Sequence, residues 1–333
     1  MGGGAIFSKD ALIHAFAGCA GGMISMSILY PLDQVRSYKQ ICDSPEMKNM
    51  SIVQTLHYIL TKEGPEGLYR GILPQVLTIG ATNFAYFFSF NFGKLVVLRS
   101  RTNRGDMSTS FTVVEYIALS TIAGIITVLV TAPLWVASTR IKMGQHASKR
   151  KENNRSAKPP QTAGLASKII EILRKEGLKA LWDGTIPSLV LVSNPIIQFV
   201  VYEMVKARVL ARRLAVGSGQ MGLTGTEAFL LGAAAKACAT VATYPLQLAQ
   251  NKLRVKETDN NGKPRYAGTA ACLGAVAREG GVGACYRGLG AKLLQTVLAG
   301  AFTYLNYEKI VRAVQAAAGA VAAGGGDPAA AQR

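Results

Sequence analysis

Apolar positions along the chain gather into six runs of helix length, at about 11–37, 72–98, 112–139, 185–211, 225–252 and 289–312, separated by polar stretches. A bilayer's hydrocarbon core takes roughly 20 apolar residues of helix, so each run is long enough to cross it. Between paired runs the pattern becomes amphipathic. Ile52, Leu56, Ile59 and Leu60 share one face of a short helix, as do Leu165, Ile169, Ile172 and Leu173, and such helices lie along a membrane surface. A third such segment, near Ala267 to Ala277, is Ala-rich and much weaker.

The order of long helix, short amphipathic helix and second long helix occurs three times. Each copy carries PLDQVR from Pro31, PLWVAS from Pro133 or PLQLAQ from Pro245, followed by YRG at Tyr69, WDG at Trp182 or YRG at Tyr286. The prolines lie 102 and then 112 positions apart, which reads as tandem copies of one unit. The expected boundaries are 1–103, 104–217 and 218–315, with an Ala/Gly-rich tail at 316–333. Residues 144–163 read as a surface loop lengthening the middle copy. The predicted fold is an all-α membrane protein of six transmembrane helices in three two-helix repeats, with both termini on one side.

Composition supports a membrane protein: 49% of the 333 residues are hydrophobic, 17% are charged, and mean hydropathy is +0.22. The formal charge of +18 could suggest nucleic acid, yet the basic residues lie between and at the ends of spans. The densest cluster, Arg140, Lys142, Lys149, Arg150, Lys151, Arg155 and Lys158, fits a solvated loop beside anionic lipid headgroups. Nucleic acid is therefore not an expected partner, whereas membrane lipids are. The five cysteines show no paired spacing, and neither a disulfide framework nor a metal site follows. GxxxxGK[ST] is absent, no His/Asp/Glu cluster has catalytic or metal spacing, and His14 reads as a helix-end polar residue. No enzyme activity and no cofactor are expected.

Proline near the end of a membrane helix removes a backbone hydrogen bond and bends it, so Pro31, Pro133 and Pro245 can draw three helix ends together. Polar residues beyond each bend, Asp33 and Arg36, Trp135 and Ser138, Gln247 and Gln250, would then link neighbouring helices, or merely cap their own helix ends. Toward the opposite mouth, Phe90-Asn91 with Lys94, Tyr202-Glu203 with Lys206 and Tyr307-Glu308 form a second set. There an acid and a base three apart could equally pair within one helix. Gly18 and Gly22, Ser120 and Gly124, and Gly232 offer small faces for close helix packing, while Lys236 takes the second small position of the third copy. A lysine inside a span is costly unless it faces water or an anion. Lys236 is the leading candidate for phosphate contact, with snorkelling to a nearby carbonyl as the alternative.

PLDQVR, the Glu63-Gly64 and Glu176-Gly177 pairs placed before an aromatic-x-Gly turn, and the threefold repeat together resemble the mitochondrial carrier family. The resemblance covers the chain apart from the tail and implies a pseudo-threefold bundle around a central solute cavity. PLWVASTR from Pro133, the Gly184 to Glu203 segment with Ser193-Asn194-Pro195, GAAAKACATVATYPLQ from Gly232 and GLGAKLLQTVL from Gly288 look like its peroxisomal adenine-nucleotide branch. That branch implies exchange of ATP, ADP and AMP, and of related CoA, FAD and NAD compounds, across the peroxisomal membrane. A mitochondrial inner-membrane carrier for NAD, FAD or pyrimidine nucleotides is the alternative, since Trp135 is shared with those carriers. No cleavable signal peptide is visible and the C-terminal AQR is not a peroxisomal import tripeptide, so targeting is expected to be internal.

Family pairing order would bring Asp33 to Ser138, Trp135 to Gln250 and Gln247 to Arg36, leaving no full ion pair in the gate. On the opposite side it would pair Glu308 with Lys94 and Asn91 with Lys206. Asp183 stands where the other copies carry a base, and the Glu279-Gly280 pair sits one residue further from its aromatic than in the other copies.

Nine residues beyond each turn aromatic stand Thr78, Leu191 and Gln295, about 13.5 Å along their helices. The resemblance implies that these, with Thr82 and Val192, are solute contact points. Leu191 and Val192 beside Asn194 would suit a flat heteroaromatic base, and Lys236 with Lys292 would suit phosphates. The same side chains could serve only helix packing, and a membrane receptor or scaffold would need no polar groups at one depth. A nucleotide-type solute is the expected partner, with a single chain as the working unit.

Overall fold

The computed structural model describes residues 23, 26–41, 50–105, 108, 110–151, 164–215, 222–256 and 264–299, the side chains of 143–151 excepted. The chain divides into two compact units, Met1–Leu29 with Val297–Arg333, and Tyr30–Thr296. In the first, Ser27 Oγ donates to the Met23 carbonyl at 2.9 Å. The second carries the elements below, the last of which runs on to Ala299.

Repeat 1 contributes α1 (Tyr30–Ile41), the surface helix α2 (Ile52–Glu63) and α3 (Ile72–Asn103). Repeat 2 follows with α4 (Val113–Lys151), the surface helix α5 (Leu165–Glu176), and α6 (Thr185–Leu191) with α7 (Asn194–Ala215). Repeat 3 has α8 (Gly225–Val255), α9 (Thr269–Ala284) and α10 (Leu289–Ala299). Among the described residues three stretches are long and apolar enough to cross a membrane: Val113–Lys142, Leu178–Ala215 and Gly225–Val255. At 32 residues, α3 spans about 48 Å. It carries Phe84, Phe88 and Phe92 stacked along an exposed apolar edge. The remainder of the first and last apolar runs, and the tail, lie outside the described residues.

A small core forms past each proline, that of repeat 1 also taking in Ala291 of repeat 3. Val35, Ala137 and Ala249, four residues after Pro31, Pro133 and Pro245, are each 0% exposed. They pack with Leu68, Leu181 and Cys285, the residues preceding the turn aromatics. The surface helices close these cores through Ile59 and Ile172, while Leu60 and Leu173 on the same sequence faces stay exposed. Ser51 and Gln54 form a capping box that starts α2, satisfying two helix-end donors.

The third surface helix ends at a kink within α9, where Gly280 (φ −143°) and Gly281 (φ 70°) leave helical geometry and a short second helical segment follows. Gly64 (φ 74°) and Gly177 (φ 83°) hold the corresponding left-handed conformation in the other copies. Gly281 therefore stands five residues before Tyr286, as Gly64 does before Tyr69 and Gly177 before Trp182, and Gly280 absorbs the extra residue.

The run at 185–211 is two helices rather than one. Pro195 has no N–H to give the Leu191 carbonyl, and it disfavours helical geometry at the residue before it. Val192 and Ser193 form a turn in which their N–H groups reach back three residues, to the Leu189 and Val190 carbonyls.

Pro133 likewise leaves the Leu129 carbonyl without its helical donor. The indole N–H of Trp182 supplies one at 3.0 Å. In repeats 1 and 3 a tyrosine precedes the proline instead, and Tyr30 and Tyr244 donate to the Arg70 and Arg287 carbonyls while stacking on Tyr69 and Tyr286. Ala132 cannot do this, so the Ala-Pro and Trp-Asp-Gly variants of repeat 2 belong together.

Three glycine turns join the repeats in a cycle. Gly71, Gly184 and Gly288 have φ of 75°, 76° and 82°, which side chains rarely adopt. An added Cβ would stand 3.3 Å from Lys142 Cα, 3.0 Å from the Gln250 carbonyl oxygen and 3.1 Å from the Arg36 carbonyl oxygen, respectively. Each repeat thus lays its turn on the proline helix of the next, and repeat 3 lays its turn on repeat 1.

Candidate functional site

The proline helices α1, α4 and α8 meet through polar side chains one to three turns past the bends. Arg36 Nη2 donates to Gln247 Oε1 at 3.2 Å, and Arg36 Nη1 lies 3.7 Å from Asp33 Oδ1 on its own helix. Asp33 does not meet Ser138. Its ion-pair partner is Lys142, with both residues buried. Ser138 instead approaches Gln75 Oε1 at 3.5 Å. Trp135 and Gln250 also part company: the Trp135 indole donates to Thr82 Oγ1 at 3.0 Å, while Gln250 donates to Ser188 Oγ at 2.7 Å. Arg254 lies over the Trp135 ring at 5.2 Å.

Two displaced cations, Lys142 and Arg254, explain these differences. Each stands four residues after a neutral motif position, Ser138 or Gln250, and so one helical turn further along the same face. The expectation of a gate without a full ion pair is corrected by Asp33–Lys142. A search for bases at i+4 from each neutral motif position could have found both.

Outside this layer the repeats are tied at the surface. Arg140 pairs with Glu176 and with Asp183, and donates from Nε to the Arg254 carbonyl at 2.9 Å. Lys256 adds a bond to Glu176 at 2.6 Å. Asp183, in place of the base found in the other turns, thus has cations of α4 and of the α8 end to meet. Burial alone would raise the Glu176 carboxyl's pKa, but Lys256 and Arg140 more than offset it and hold it below the ordinary value. In repeat 1, Glu63 accepts from Tyr38 and from Arg70. Between repeats 3 and 1, Gln40 donates to Tyr244 at 3.0 Å, and Asn251 donates to Gln40 at 2.6 Å.

Deeper in the bundle, Lys236 Nζ donates to Asn194 Oδ1 at 3.1 Å. The Asn194 amide donates in turn to Thr243 Oγ1 at 2.7 Å, so the helix break in repeat 2 is held against α8 from both ends of one amide. Lys292 contacts Gln295 Oε1 at 3.4 Å, and the charges of Arg36, Asp33, Lys236 and Lys142 all act on it. Thr78 and Thr82 spend their hydroxyl protons on the Pro74 and Thr78 carbonyls of their own helix. Each therefore offers a neighbour only acceptor lone pairs. Val192 packs on Gly124 so closely that a Cβ there would lie 2.8 Å from Val192 Cγ1, and Leu191 is half-buried beside it.

At the opposite mouth Lys94 and Lys206 have partners other than the expected ones. Lys206 bonds Glu203 at 3.2 Å on its own helix rather than Asn91. Lys94 lies over Phe90, Tyr116 and Phe111 at 4.7, 5.1 and 5.9 Å. Glu308 lies outside the described residues. Interhelical links are thus made at both ends of the bundle: at this mouth Arg101 of α3 pairs with Glu115 of α4 and Arg213 of α7 with Glu227 of α8, while Lys94 and Lys206 have the partners just described.

Among the described residues no cluster of His, Cys, Asp or Glu could hold a metal ion. The family model described as mitochondrial carrier protein matches this chain three times, over residues 8–101, 109–213 and 222–318. The chain is 37% identical over 314 residues to "Peroxisomal membrane protein PMP34" of Mus musculus, covering 92% of this chain and 95% of that protein. It is 30% identical over 322 residues to "Peroxisomal nicotinamide adenine dinucleotide carrier" of Arabidopsis thaliana, covering 91% and 96%. "Peroxisomal membrane protein PMP47B" of Candida boidinii is 28% identical over 377 residues, covering 91% and 86%. With its triplicated helices and cyclic contacts, the chain belongs to the mitochondrial carrier family, as a multi-pass transporter of the peroxisomal membrane and not an enzyme.

Proposed function

We propose that the protein exchanges nucleotide-type anions, namely ATP, ADP and AMP, with CoA, FAD or NAD as related solutes, by alternating access through a cavity in a single chain. One observation carries this reading. Arg36, Lys142, Lys236, Arg254 and Lys292 gather around the inner ends of the proline helices, and Asp33 is the carboxylate set among them. Such an excess of cations inside an apolar bundle is costly unless it serves an anion that enters from water.

The polar groups divide the solute. Lys236 and Lys292 supply charge-assisted donors to phosphate oxygens. Thr82, which accepts from Trp135 and has no free proton, suits an exocyclic amine rather than a phosphate. Leu191 and Val192 line the nearby helix break and suit the flat face of the base. Asp33, Arg36, Trp135, Ser138, Gln247 and Gln250 form the gate at the proline end. Bound solute draws the cations inward, lowers the cost of separating the helices and favours exchange over one-way flow.

A nicotinamide adenine dinucleotide carrier among the relatives supports NAD as one accepted solute. Proteoliposomes preloaded with ATP and offered labelled ATP, ADP, AMP, CoA, FAD, NAD or a pyrimidine nucleotide test the reading. Saturable exchange of adenine-bearing solutes is expected, and exchange of none of them would refute it.

A further inference from the structure

We propose that Asn194 and Thr243 are positioning residues that couple an anion at Lys236 to release of the Arg36–Gln247 cross-link; this rests on the anion-exchange reading above. Four hydrogen bonds form a continuous chain of donors and acceptors. Lys236 Nζ donates to Asn194 Oδ1 at 3.1 Å, and Asn194 Nδ2 donates to Thr243 Oγ1 at 2.7 Å. Gln247 Nε2 donates to the same Thr243 oxygen at 3.2 Å, and Gln247 Oε1 accepts from Arg36 at 3.2 Å.

Thr243 is the node. Its proton goes to the Ala239 carbonyl at 2.8 Å, and both of its lone pairs are taken, one by Asn194 and one by Gln247. It is 4% exposed, so water has little access to replace a lost partner. Asn194 is equally committed, with its oxygen on Lys236 and its nitrogen shared between Thr243 and the Ala239 carbonyl.

Asn194 also begins α7, directly after the Val192–Ser193 turn. This joint between two helices is the place in repeat 2 where backbone can turn without breaking a helix. An anion that recruits Lys236 takes the donor from Asn194 Oδ1 and leaves that half-buried oxygen without its partner. Turning Asn194 to recover a partner removes its nitrogen from Thr243, and the node that fixes Gln247 toward Arg36 is disturbed. By linkage the reverse holds: loosening Arg36–Gln247 frees Lys236 for the anion. A double-mutant cycle measures this coupling.

The full chain in detergent is titrated with ATP by calorimetry. Gln247→Ala is expected to tighten ATP about fivefold or more in the native background. In a Thr243→Val background, which keeps the side-chain shape and removes the node oxygen, the same substitution is expected to change affinity less than about twofold. Thr243→Ser keeps the oxygen and should restore the native response, which a purely space-filling Thr243 would not require. Asn194→Ala cuts the chain one link earlier and replaces Thr243→Val should that variant fail to fold. An unchanged response to Gln247→Ala in every background overturns the proposal, as does an equal tightening with and without the node. Wild-type protein that binds no ATP, CoA or NAD overturns the anion-exchange reading and this proposal together, whereas binding without the cycle's coupling overturns this one alone.

Discussion

Lys142 on the proline helix of repeat 2 pairs with Asp33 on that of repeat 1, one turn past the serine that occupies the motif position. Both groups are buried, so neither can be solvated once its partner is removed. Lys142→Met leaves Asp33 with only the 3.7 Å approach of Arg36, and is therefore expected to destabilise the proline-end closed state by less than the roughly 3–5 kcal/mol of a wholly unpaired buried charge. The Asp33→Asn and Lys142→Met double variant should recover much of that loss. Thermal unfolding in detergent checks both, and additive losses in the double variant would show that the pair is not coupled.

Trp182 supplies the donor that Pro133 denies to the Leu129 carbonyl. Trp182→Phe keeps an aromatic ring but removes that donor, with an expected cost of about 0.5–1.5 kcal/mol. Tyr69→Phe is the control, because its ring stacks on Tyr30 and the carbonyl bond in that repeat comes from Tyr30. Unfolding midpoints should fall more for Trp182→Phe than for Tyr69→Phe.

Gly184 has left-handed helical geometry (φ 76°, ψ 12°), in which alanine costs about 1–2 kcal/mol, and a Cβ there would also stand 3.0 Å from the Gln250 carbonyl oxygen. Gly184→Ala should therefore cost more than about 2 kcal/mol in thermal unfolding. A loss within the backbone cost alone would show that the turn of repeat 2 does not bear on repeat 3.

Glu176 links Arg140 to Lys256 at the surface. Its folded pKa is lowered, so its stabilisation is complete above the unfolded value near 4.5 and fades as pH falls through the lower folded value. Glu176→Gln should lower the unfolding midpoint at neutral pH and flatten its decline below about pH 4.5. A decline that stays as steep in the variant would place the acid sensitivity on other groups.

Much of the fold was legible because its marks recur. Proline, the left-handed glycine turn and the turn aromatic each appear once per repeat, and a threefold coincidence outweighs the weakness of any one signal. The gate partners were less legible. Asp33 and Arg36 stand in the motif, whereas Lys142 and Arg254 lie one turn outside it, where only the helical period connects them with Ser138 and Gln250. The break at Val192–Ser193 was marked by Pro195, yet the apolar run through it reads as one span because hydropathy is blind to a missing N–H. The hydroxyls of Thr78 and Thr82 read from sequence as general polar contacts, and their restriction to accepting follows from back-bonds only coordinates reveal.

The most direct measurement is initial uptake of labelled ATP into proteoliposomes preloaded with ATP, compared between wild-type protein and Lys236→Ala at matched insertion. Loss of a charge-assisted contact of about 1.5–3 kcal/mol corresponds to at least a tenfold fall in exchange for the variant. Rapid wild-type exchange with that fall is the expected result. Equal rates for the two proteins, or no exchange of any adenine-bearing solute by the wild type, would contradict an anion site built on Lys236.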